Sequence, residues 1–168
     1  MKWQKSQRLV GSADPDWITD HIVLDSLLFT RLLPSTAQRI LDVGSGAGVP
    51  GVPLKIVREH TAFTLLEARA KRISFLSAVV RELALRDCEV LNRRLEAIAD
   101  EGIARYDAIV MRCAADPTIL VPIAARLLRP AGVIIASGPP TRRPSRGGAW
   151  VEVDGPLGTR RFWTTQQT

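Results

Sequence analysis

Three glycines follow a short apolar run that contains a single acid. The run covers residues 39–43 (RILDV), and the glycines are Gly44, Gly46 and Gly48. An apolar run, a glycine-rich turn and then a helical pattern predict a strand, a tight turn and a helix start. Glycine adopts backbone angles closed to other residues and lets the chain approach a ligand closely. The sequence therefore predicts a ligand-binding loop at the carboxyl end of a strand, with the N–H groups of the helix start directed at the ligand.

Two classes of cofactor fit such a loop. Residues 46–51 match the dinucleotide fingerprint G-x-G-x-x-G, but in that fingerprint the first glycine directly follows the strand. Counting from Gly44 puts Val49 where the third glycine belongs. An S-adenosylmethionine loop usually has an acid two residues before its first glycine, and Asp42 stands there. Because a carboxylate attracts an ammonium and a sulfonium but repels a pyrophosphate, the residues favour the methyl donor, with NAD as the alternative.

A second acid, Glu67, ends the next apolar run at residues 63–67. An acid at the end of the second strand is typical of a ribose-binding position, which both cofactor classes need. Lys71 and Arg72 follow in the first turn of a helix that the spacing of apolar residues predicts over 70–85. Positive charge there opposes the helix dipole, which leaves two interpretations open, a bound anion and an ordinary surface.

The elements that must position these residues alternate between strand and helix, which predicts a parallel α/β sheet. Five strands are expected at 39–43, 63–67, 88–91, 106–112 and 133–136, and an antiparallel hairpin at 151–153 and 160–165 around a turn at 154–158. We expect a Rossmann-like class I methyltransferase fold, with a mostly parallel seven-stranded sheet, a C-terminal antiparallel hairpin and helices on both faces. Residues 1–168 form one domain in this prediction, with a helical segment at 1–34 that covers one edge of the sheet and a cofactor-binding α/β core at 35–168.

Composition limits the function classes. The 168 residues are 46% hydrophobic, and 23 Lys plus Arg against 17 Asp plus Glu give a net charge of +6. That balance fits a polyanionic partner or a basic solubility surface equally well. Two cysteines and two histidines without metal-ligand spacing argue against a disulfide framework or a metal centre. The most apolar stretch is interrupted by arginines, so we expect no membrane span and a cytoplasmic enzyme.

Residues 41–54 resemble the cofactor motif of the bacterial 16S rRNA guanine-N7 methyltransferases, the RsmG or GidB family. The doubled pattern G-x-P-G-x-P-L within it is more specific than a general methyl-donor loop. Further similarities are T-L-L-E-A at 64–68, K-R at 71–72, R-L-E at 94–96, Arg112 after the fourth strand, K-W-Q-K at 2–5 and L-D-S at 24–26. The resemblance covers nearly the whole chain.

This resemblance implies S-adenosylmethionine as the cofactor and N7 of a 16S rRNA guanine as the methyl acceptor. The cofactor residues it implies, together with the loop, are Asp42, Gly44, Gly46, Gly48, Val49, Glu67, Ala68, Leu95, Glu96 and Arg112. Glu67 would hold the ribose, Leu95 and Glu96 would meet the adenine, and Arg112 would line the site beside the methyl group. Guanine N7 has a free lone pair and no proton, so no general base is needed and alignment suffices. Arg112 is the residue predicted as catalytic, because its planar fork can hold guanine O6 or a phosphate.

The resemblance also implies an RNA-binding surface, for which the basic candidates are Lys71, Arg72, Arg142, Arg143 and Arg146. The expected partner is 16S rRNA or the 30S subunit, bound by a monomer without metal. The substrate-facing motifs depart from the family pattern. The family's R-H-x-L-D-S motif is shifted here, so that in an ungapped comparison His21 stands where the family has its arginine. The lysine-glycine pair that follows strand five in the family is replaced by Ser137-Gly138. These departures keep two alternatives open, a methyltransferase acting on another RNA or a small molecule, and a non-catalytic relative that binds the cofactor or RNA.

Overall fold

The computed structural model describes residues 9–112, 117–137 and 148–166. Seven strands form one sheet in the order β3-β2-β1-β4-β5-β7-β6. They are β1 (Arg39–Val43), β2 (Ala62–Leu66), β3 (Cys88–Leu91), β4 (Tyr106–Arg112), β5 (Leu128–Ser137), β6 (Ala149–Gly155) and β7 (Gly158–Gln166). The first five are parallel, and β7 runs antiparallel to both β5 and β6. The predicted fold class is confirmed.

In the described parts of the chain, four helices connect the parallel strands: α1 (Gly51–Val57), α2 (Ala70–Glu82), α3 (Leu95–Ala99) and α4 (Pro117–Ala125). The apolar strand residues divide between two faces, as their alternation requires. One face packs with α3 and α4, and the other packs with α1 and α2. Helix α2 ends earlier than predicted, since Ala84 has a positive φ of 48°, an angle that a helix cannot continue through.

A helical segment at residues 15–31 precedes the sheet. It consists of an α-helical turn (Pro15–Ile18), a π turn (Thr19–Leu24), a second α turn (Asp25–Leu27) and a 3-10 turn (Leu28–Arg31). The prediction that this segment covers a sheet edge holds only for its contact with the edge strand β6, where Arg31 donates to the carbonyl of Asp154. Its buried residues Leu28 and Phe29 pack on a face of the sheet, in the same cluster as β1, β4, β5 and β7 residues, because two large apolar side chains bury far more surface on a face than at an edge.

Two local details differ from the sequence expectation. The turn of the C-terminal hairpin is limited to Pro156 and Leu157, because Gly155 still pairs with Gly158. The fifth strand begins earlier than the predicted 133–136, at Leu128. Residues 129–132 lie outside its register with β4, because Tyr106 pairs with Leu128 and Ala108 already pairs with Val133.

The strand order reverses between β1 and β4, which are neighbours although β2 and β3 come between them in the chain. In open α/β sheets, ligands bind outside the carboxyl ends of the strands at such a switch point. The glycine loop that follows β1 and Arg112 at the end of β4 both lie there.

Candidate functional site

The loop after β1 has the backbone that its glycines predict. Gly44, Gly46 and Gly48 have φ angles of 71°, 56° and 83°, all in the left-handed region that favours glycine. The loop is fixed to the end of the neighbouring strand, because the N–H groups of Gly44 and Ser45 both donate to the carbonyl of Leu66, over 2.9 and 3.0 Å. The result is a narrow loop whose backbone stands at the switch point of the sheet.

Asp42 supports this loop from below. Its side chain has no exposed surface, and Oδ2 accepts a 3.0 Å hydrogen bond from the N–H of Gly51 at the start of α1. Burial raises the pKa of this carboxyl to about 7. Two expectations are thereby corrected: the carboxylate is turned into the core instead of facing a cationic ligand, and the first N–H of α1 bonds Asp42 instead of a ligand. The other oxygen, Oδ1, is buried and has no hydrogen-bond partner among the described residues.

Glu67 follows β2, as predicted, and its carboxylate also holds the loop. Oε2 accepts from the N–H of Gly46 over 3.0 Å, and Oε1 accepts from the N–H of Arg69 over 2.9 Å. Each oxygen can accept a second hydrogen bond. Asn92 fixes the backbone of Glu67 by donating from Nδ2 to its carbonyl over 3.0 Å. Glu67 is therefore placed where one carboxylate can serve the loop and a ligand hydroxyl together.

Arg72 lies against the same loop. A Cβ atom added to Gly46 would be 2.5 Å from Nη1 of Arg72, so the guanidinium covers this glycine directly. Lys71 is exposed beside it in the first turn of α2. Arg69 and Arg94, exposed at the ends of the loops after β2 and β3, complete a cluster of four cations. None of the four makes an ion pair with a carboxylate of the described residues.

The remaining cofactor candidates lie around this loop with different exposure. Val49 is half-buried, while Ala68 and Glu96 are exposed after β2 and in the first turn of α3. Leu95, in contrast, is only 4% exposed and belongs to the core cluster under α3 and α4. The Leu95 side chain therefore packs in the core. An adenine ring near it would contact the start of α3 and the side chain of Glu96.

Arg112 does not point freely into the crevice. Its Nη2 contacts Oδ2 of Asp25 at 3.0 Å and donates to the carbonyl of His21 over 2.7 Å. Its Nη1 donates to the carbonyl of Ile22 over 3.0 Å and to Oγ of Ser26 over 3.1 Å. The expectation that its fork is available for a substrate is therefore not met, because the helical segment supplies acceptors for it.

The π turn (Thr19–Leu24) was not predicted from the sequence. A π turn bonds i to i+5 and so contains one residue more than an α turn. The shift of His21 relative to the family pattern is such a single extra residue between the histidine and Asp25. The shift itself was a usable signal, since a one-residue insertion before an otherwise matching motif needs a local change of helix geometry. His21 stacks on Trp17, with ring centroids 4.7 Å apart.

Three of the predicted RNA-binding residues, Arg142, Arg143 and Arg146, lie outside the described residues. Within the described ranges there is no group of three or more His, Cys, Asp or Glu side chains that could hold a metal ion. No described helix is both long and apolar enough to cross a membrane.

Solved structures with the same fold are methyltransferases. An S-adenosylmethionine-dependent methyltransferase from Aquifex aeolicus aligns with a TM-score of 0.63 at 16% identity, over 97% of this chain and 96% of that one. A precorrin-6y C5,15-methyltransferase from Geobacter metallireducens aligns with a TM-score of 0.65 at 11% identity, over 96% and 92%. At such identities the likeness supports the class I methyltransferase fold alone.

Sequence relatives are more specific. The chain is 39% identical over 138 residues to "Ribosomal RNA small subunit methyltransferase G" of Anaeromyxobacter dehalogenans, which covers 81% of this chain and 63% of that protein. It is 40% identical over 137 residues to "Ribosomal RNA small subunit methyltransferase G 1" of Syntrophobacter fumaroxidans, over 79% and 62%. The chain thus matches somewhat less than two thirds of these relatives' length. The GidB family model, described as rRNA small subunit methyltransferase G, matches residues 1–138. The chain therefore belongs to the GidB family of small-subunit rRNA methyltransferases.

Proposed function

We propose that this chain transfers a methyl group from S-adenosylmethionine to N7 of a guanine in 16S rRNA. The observation that carries the proposal is the glycine loop at the switch point, whose three glycines have positive φ angles and whose backbone is held by Glu67. Membership in the GidB family supports the reaction class, and the resemblance noted in the sequence supports the guanine-N7 acceptor.

The residues around the loop suit the methyl donor. Gly44 is exposed at the loop surface, and Glu67 retains acceptor capacity for ribose hydroxyls, since each oxygen has one bond from the backbone. Arg72, whose guanidinium lies against Gly46, is suited to the carboxylate of the donor's methionine part. Asp42 would act indirectly, because its buried carboxyl fixes the start of α1 under the loop.

Methyl transfer to guanine N7 requires mainly that the protein align the methyl donor with the base. S-adenosylmethionine supplies a methyl group on a sulfonium, which leaves as a neutral thioether. The N7 lone pair forms the new N–C bond as the S–C bond breaks, and the positive charge passes from sulfur to the guanine ring, so no proton has to be removed. The loop and Glu67 therefore need to hold the donor in one orientation while the crevice walls exclude water.

The cluster of Arg69, Lys71 and Arg94 supports RNA as the substrate. These three cations are exposed, make no ion pair with described carboxylates and stand beside the loop at the carboxyl ends of β2 and β3. Phosphate contacts of this kind give affinity without sequence selection and make binding depend on salt. They would orient the RNA so that its target base enters the crevice next to the loop.

Calorimetric titration tests the cofactor directly. We expect micromolar binding of S-adenosylmethionine and no binding of NAD. Gly44→Val should abolish donor binding, because valine is strained at a φ of 71°. Glu67→Ala should also abolish it, whereas Glu59→Gln, at an exposed acid paired with His60, should leave it unchanged. Absence of donor binding in the unmodified protein would refute the proposal.

Transfer is tested on 30S subunits that lack the N7 methyl group. The expected product is one 7-methylguanine in 16S rRNA, located by strand scission at the modified base. For the RNA surface, replacing Arg69, Lys71 and Arg94 by glutamine should make the slope of log affinity against log salt less steep by about 2, the value for three phosphate contacts with a single strand. Arg126→Gln, at an arginine paired with Asp100, is the control. Methylation of a small molecule with no RNA product would favour the alternative substrate class.

A further inference from the structure

The helical segment at residues 15–31 has two halves with different anchors. In the second half, Ser26, Leu28 and Phe29 are buried, and the ring of Phe29 meets that of Phe162 edge-on at a centroid distance of 4.9 Å. In the first half, neither the α turn (Pro15–Ile18) nor the π turn has a buried residue. The apolar side chains of the first half, Trp17, Ile18 and Ile22, are only half-buried, so hydrophobic burial fixes it less firmly than the second half and it needs a further anchor.

Arg112 is that anchor. Its two Nη atoms meet four acceptors, which are the carbonyls of His21 and Ile22, the hydroxyl of Ser26 and the carboxylate of Asp25. A guanidinium has two N–H donors on each Nη and one on Nε; three hydrogen bonds from the Nη atoms go to the helical segment, and Nη2 also forms an ion pair with Asp25. An arginine with these contacts is better placed to hold the helical segment in position than to bind a substrate.

The ionic part of the contact is shielded from solvent. The side chains of Arg112 and Asp25 are only 15% and 18% exposed, so salt screens their attraction less than that of a surface pair. The second oxygen of Asp25 accepts from Nε of Arg160 on β7 over 2.7 Å. One carboxylate thereby ties the ends of β4 and β7 to the junction of the two halves.

The first half also borders the glycine loop. Ile18, Ile22 and Val23 line one side of an apolar cavity of about 300 Å³, and Ala47, Gly48 and Val49 line the other. The position of the π turn therefore decides the width of the space next to the loop. An anchor that fixes the π turn also fixes that side of the candidate site.

We propose that Arg112 is a positioning residue, which fastens the first half of the helical segment over the switch point through Asp25 and the π-turn carbonyls and so forms one wall of the methyl-transfer site. The part of this inference that concerns transfer rests on the proposed function; the part that concerns the segment does not. Lysine cannot replace Arg112, because a single ammonium cannot span four acceptors on two sides of a planar fork.

Hydrogen exchange followed by mass spectrometry separates a positioning role from a catalytic one. We expect amide exchange of residues 15–24 to accelerate about tenfold in Arg112→Lys and in Asp25→Asn, as loss of a charge-assisted contact permits local opening. Exchange of β1 and β4 should stay as in the unmodified protein, which shows that each variant folds. Arg129→Lys, at an ion pair with Asp107 far from the segment, should leave exchange of residues 15–24 unchanged.

Kinetics of the double variant give the second readout. If Arg112 acts through Asp25, transfer in Arg112→Lys/Asp25→Asn should be no lower than in the worse single variant, and the KM for RNA should rise in all three. Unchanged exchange of residues 15–24 in Arg112→Lys, or additive losses of transfer, would overturn the proposal and return Arg112 to a direct role. If the unmodified protein transfers no methyl group, the proposed function fails, while the exchange result still decides the role of Arg112.

Discussion

The carboxyl group of Asp42 makes the stability of this protein depend on pH in an unusual direction. Its pKa is about 7 in the folded protein, against an ordinary value of 3.8, because burial disfavours the charged form. Between these two values the folded protein binds more protons than the unfolded chain, so stability falls as the pH rises. A group with these two pKa values contributes about 3 kcal/mol of stability at pH 5 that is lost by pH 8.

Asp42→Asn isolates this effect. Asparagine keeps an oxygen that can accept the N–H bond of Gly51, resembles the protonated acid in shape and does not titrate. The variant should therefore match the unmodified protein at pH 5 and exceed its free energy of unfolding by about 3 kcal/mol at pH 8. The assay is urea unfolding at half-unit steps from pH 5 to pH 8 on protein without ligand. Since all other titrating groups are common to both proteins, the difference between the two curves belongs to position 42.

Parallel curves would refute the reasoning, because they would mean that Asp42 titrates outside this range or not at all. Glu82→Gln, which removes an exposed carboxyl at the end of α2, is the control for the loss of one acid and should give a curve parallel to that of the unmodified protein. A variant that is less stable than the unmodified protein by a constant amount at all pH values would show that the carboxylate is needed in its charged form.

Three further changes test other parts of the structure. Lys55→Met should lower the free energy of unfolding by about 2 kcal/mol, because the buried Nζ donates to the carbonyls of Glu59 and Thr61; an unchanged urea midpoint would contradict this. Trp163→Phe should cost less than about 1 kcal/mol and Trp163→Ala about 4 kcal/mol, since the buried indole N–H has no partner among the described residues; equal losses would contradict it. Gly46→Ala should lower the free energy of unfolding by at least about 1 kcal/mol and weaken binding of S-adenosylmethionine in calorimetry. Adding Arg72→Ala should restore only the part of that stability that is lost to the clash with the Arg72 side chain, because the strain of a φ of 56° remains.

Local signals explain why the sheet and the loop could be predicted from the sequence. Apolar runs and alternating glycines determine the backbone structure of the residues next to them. The three positive φ angles at Gly44, Gly46 and Gly48 follow from residue type and spacing. The position of Glu67 after β2 follows in the same way from the end of an apolar run. Such features need no knowledge of distant contacts.

Tertiary contacts explain what the sequence could not predict. Arg112 and Ile22 are 90 residues apart in the chain, and nothing in the residues around Arg112 indicates that its donors are taken by a helical segment. Asp42 similarly has a motif position that fits a ligand, but its direction is decided by the packing of Gly51 above it, where a Cβ atom would lie 2.5 Å from Oδ2. Motif position thus predicted that both residues lie at the carboxyl ends of their strands, as they do, and left their partners open.

The chain departs from the family pattern at the π turn, and the role of the extra residue can be tested by shortening the turn. Deleting Val23, which is 36% exposed, removes the extra residue, so that an α-helix can continue through the turn with Asp25 still in place. The carbonyl of Ile22 now accepts from the N–H of Asp25 and from Arg112, and the carbonyl of His21 accepts from Arg112. The deletion would change which helical N–H groups face these two carbonyls, and i to i+4 bonds would then compete with Arg112 for them. We expect residues 15–24 to exchange more slowly in the deletion variant, and Arg112→Lys to accelerate them much less in that background.

Val23→Ala is the matched control, because it trims the same side chain and keeps the length of the turn. It should leave the effect of Arg112→Lys at its full size. If Arg112→Lys accelerated exchange equally with and without the deletion, the anchor would be the ion pair with Asp25 alone and the widened turn would have no part in it. If the deletion itself accelerated exchange, the carbonyls would need Arg112 even in a regular helix, and the extra residue would not be what creates the contact.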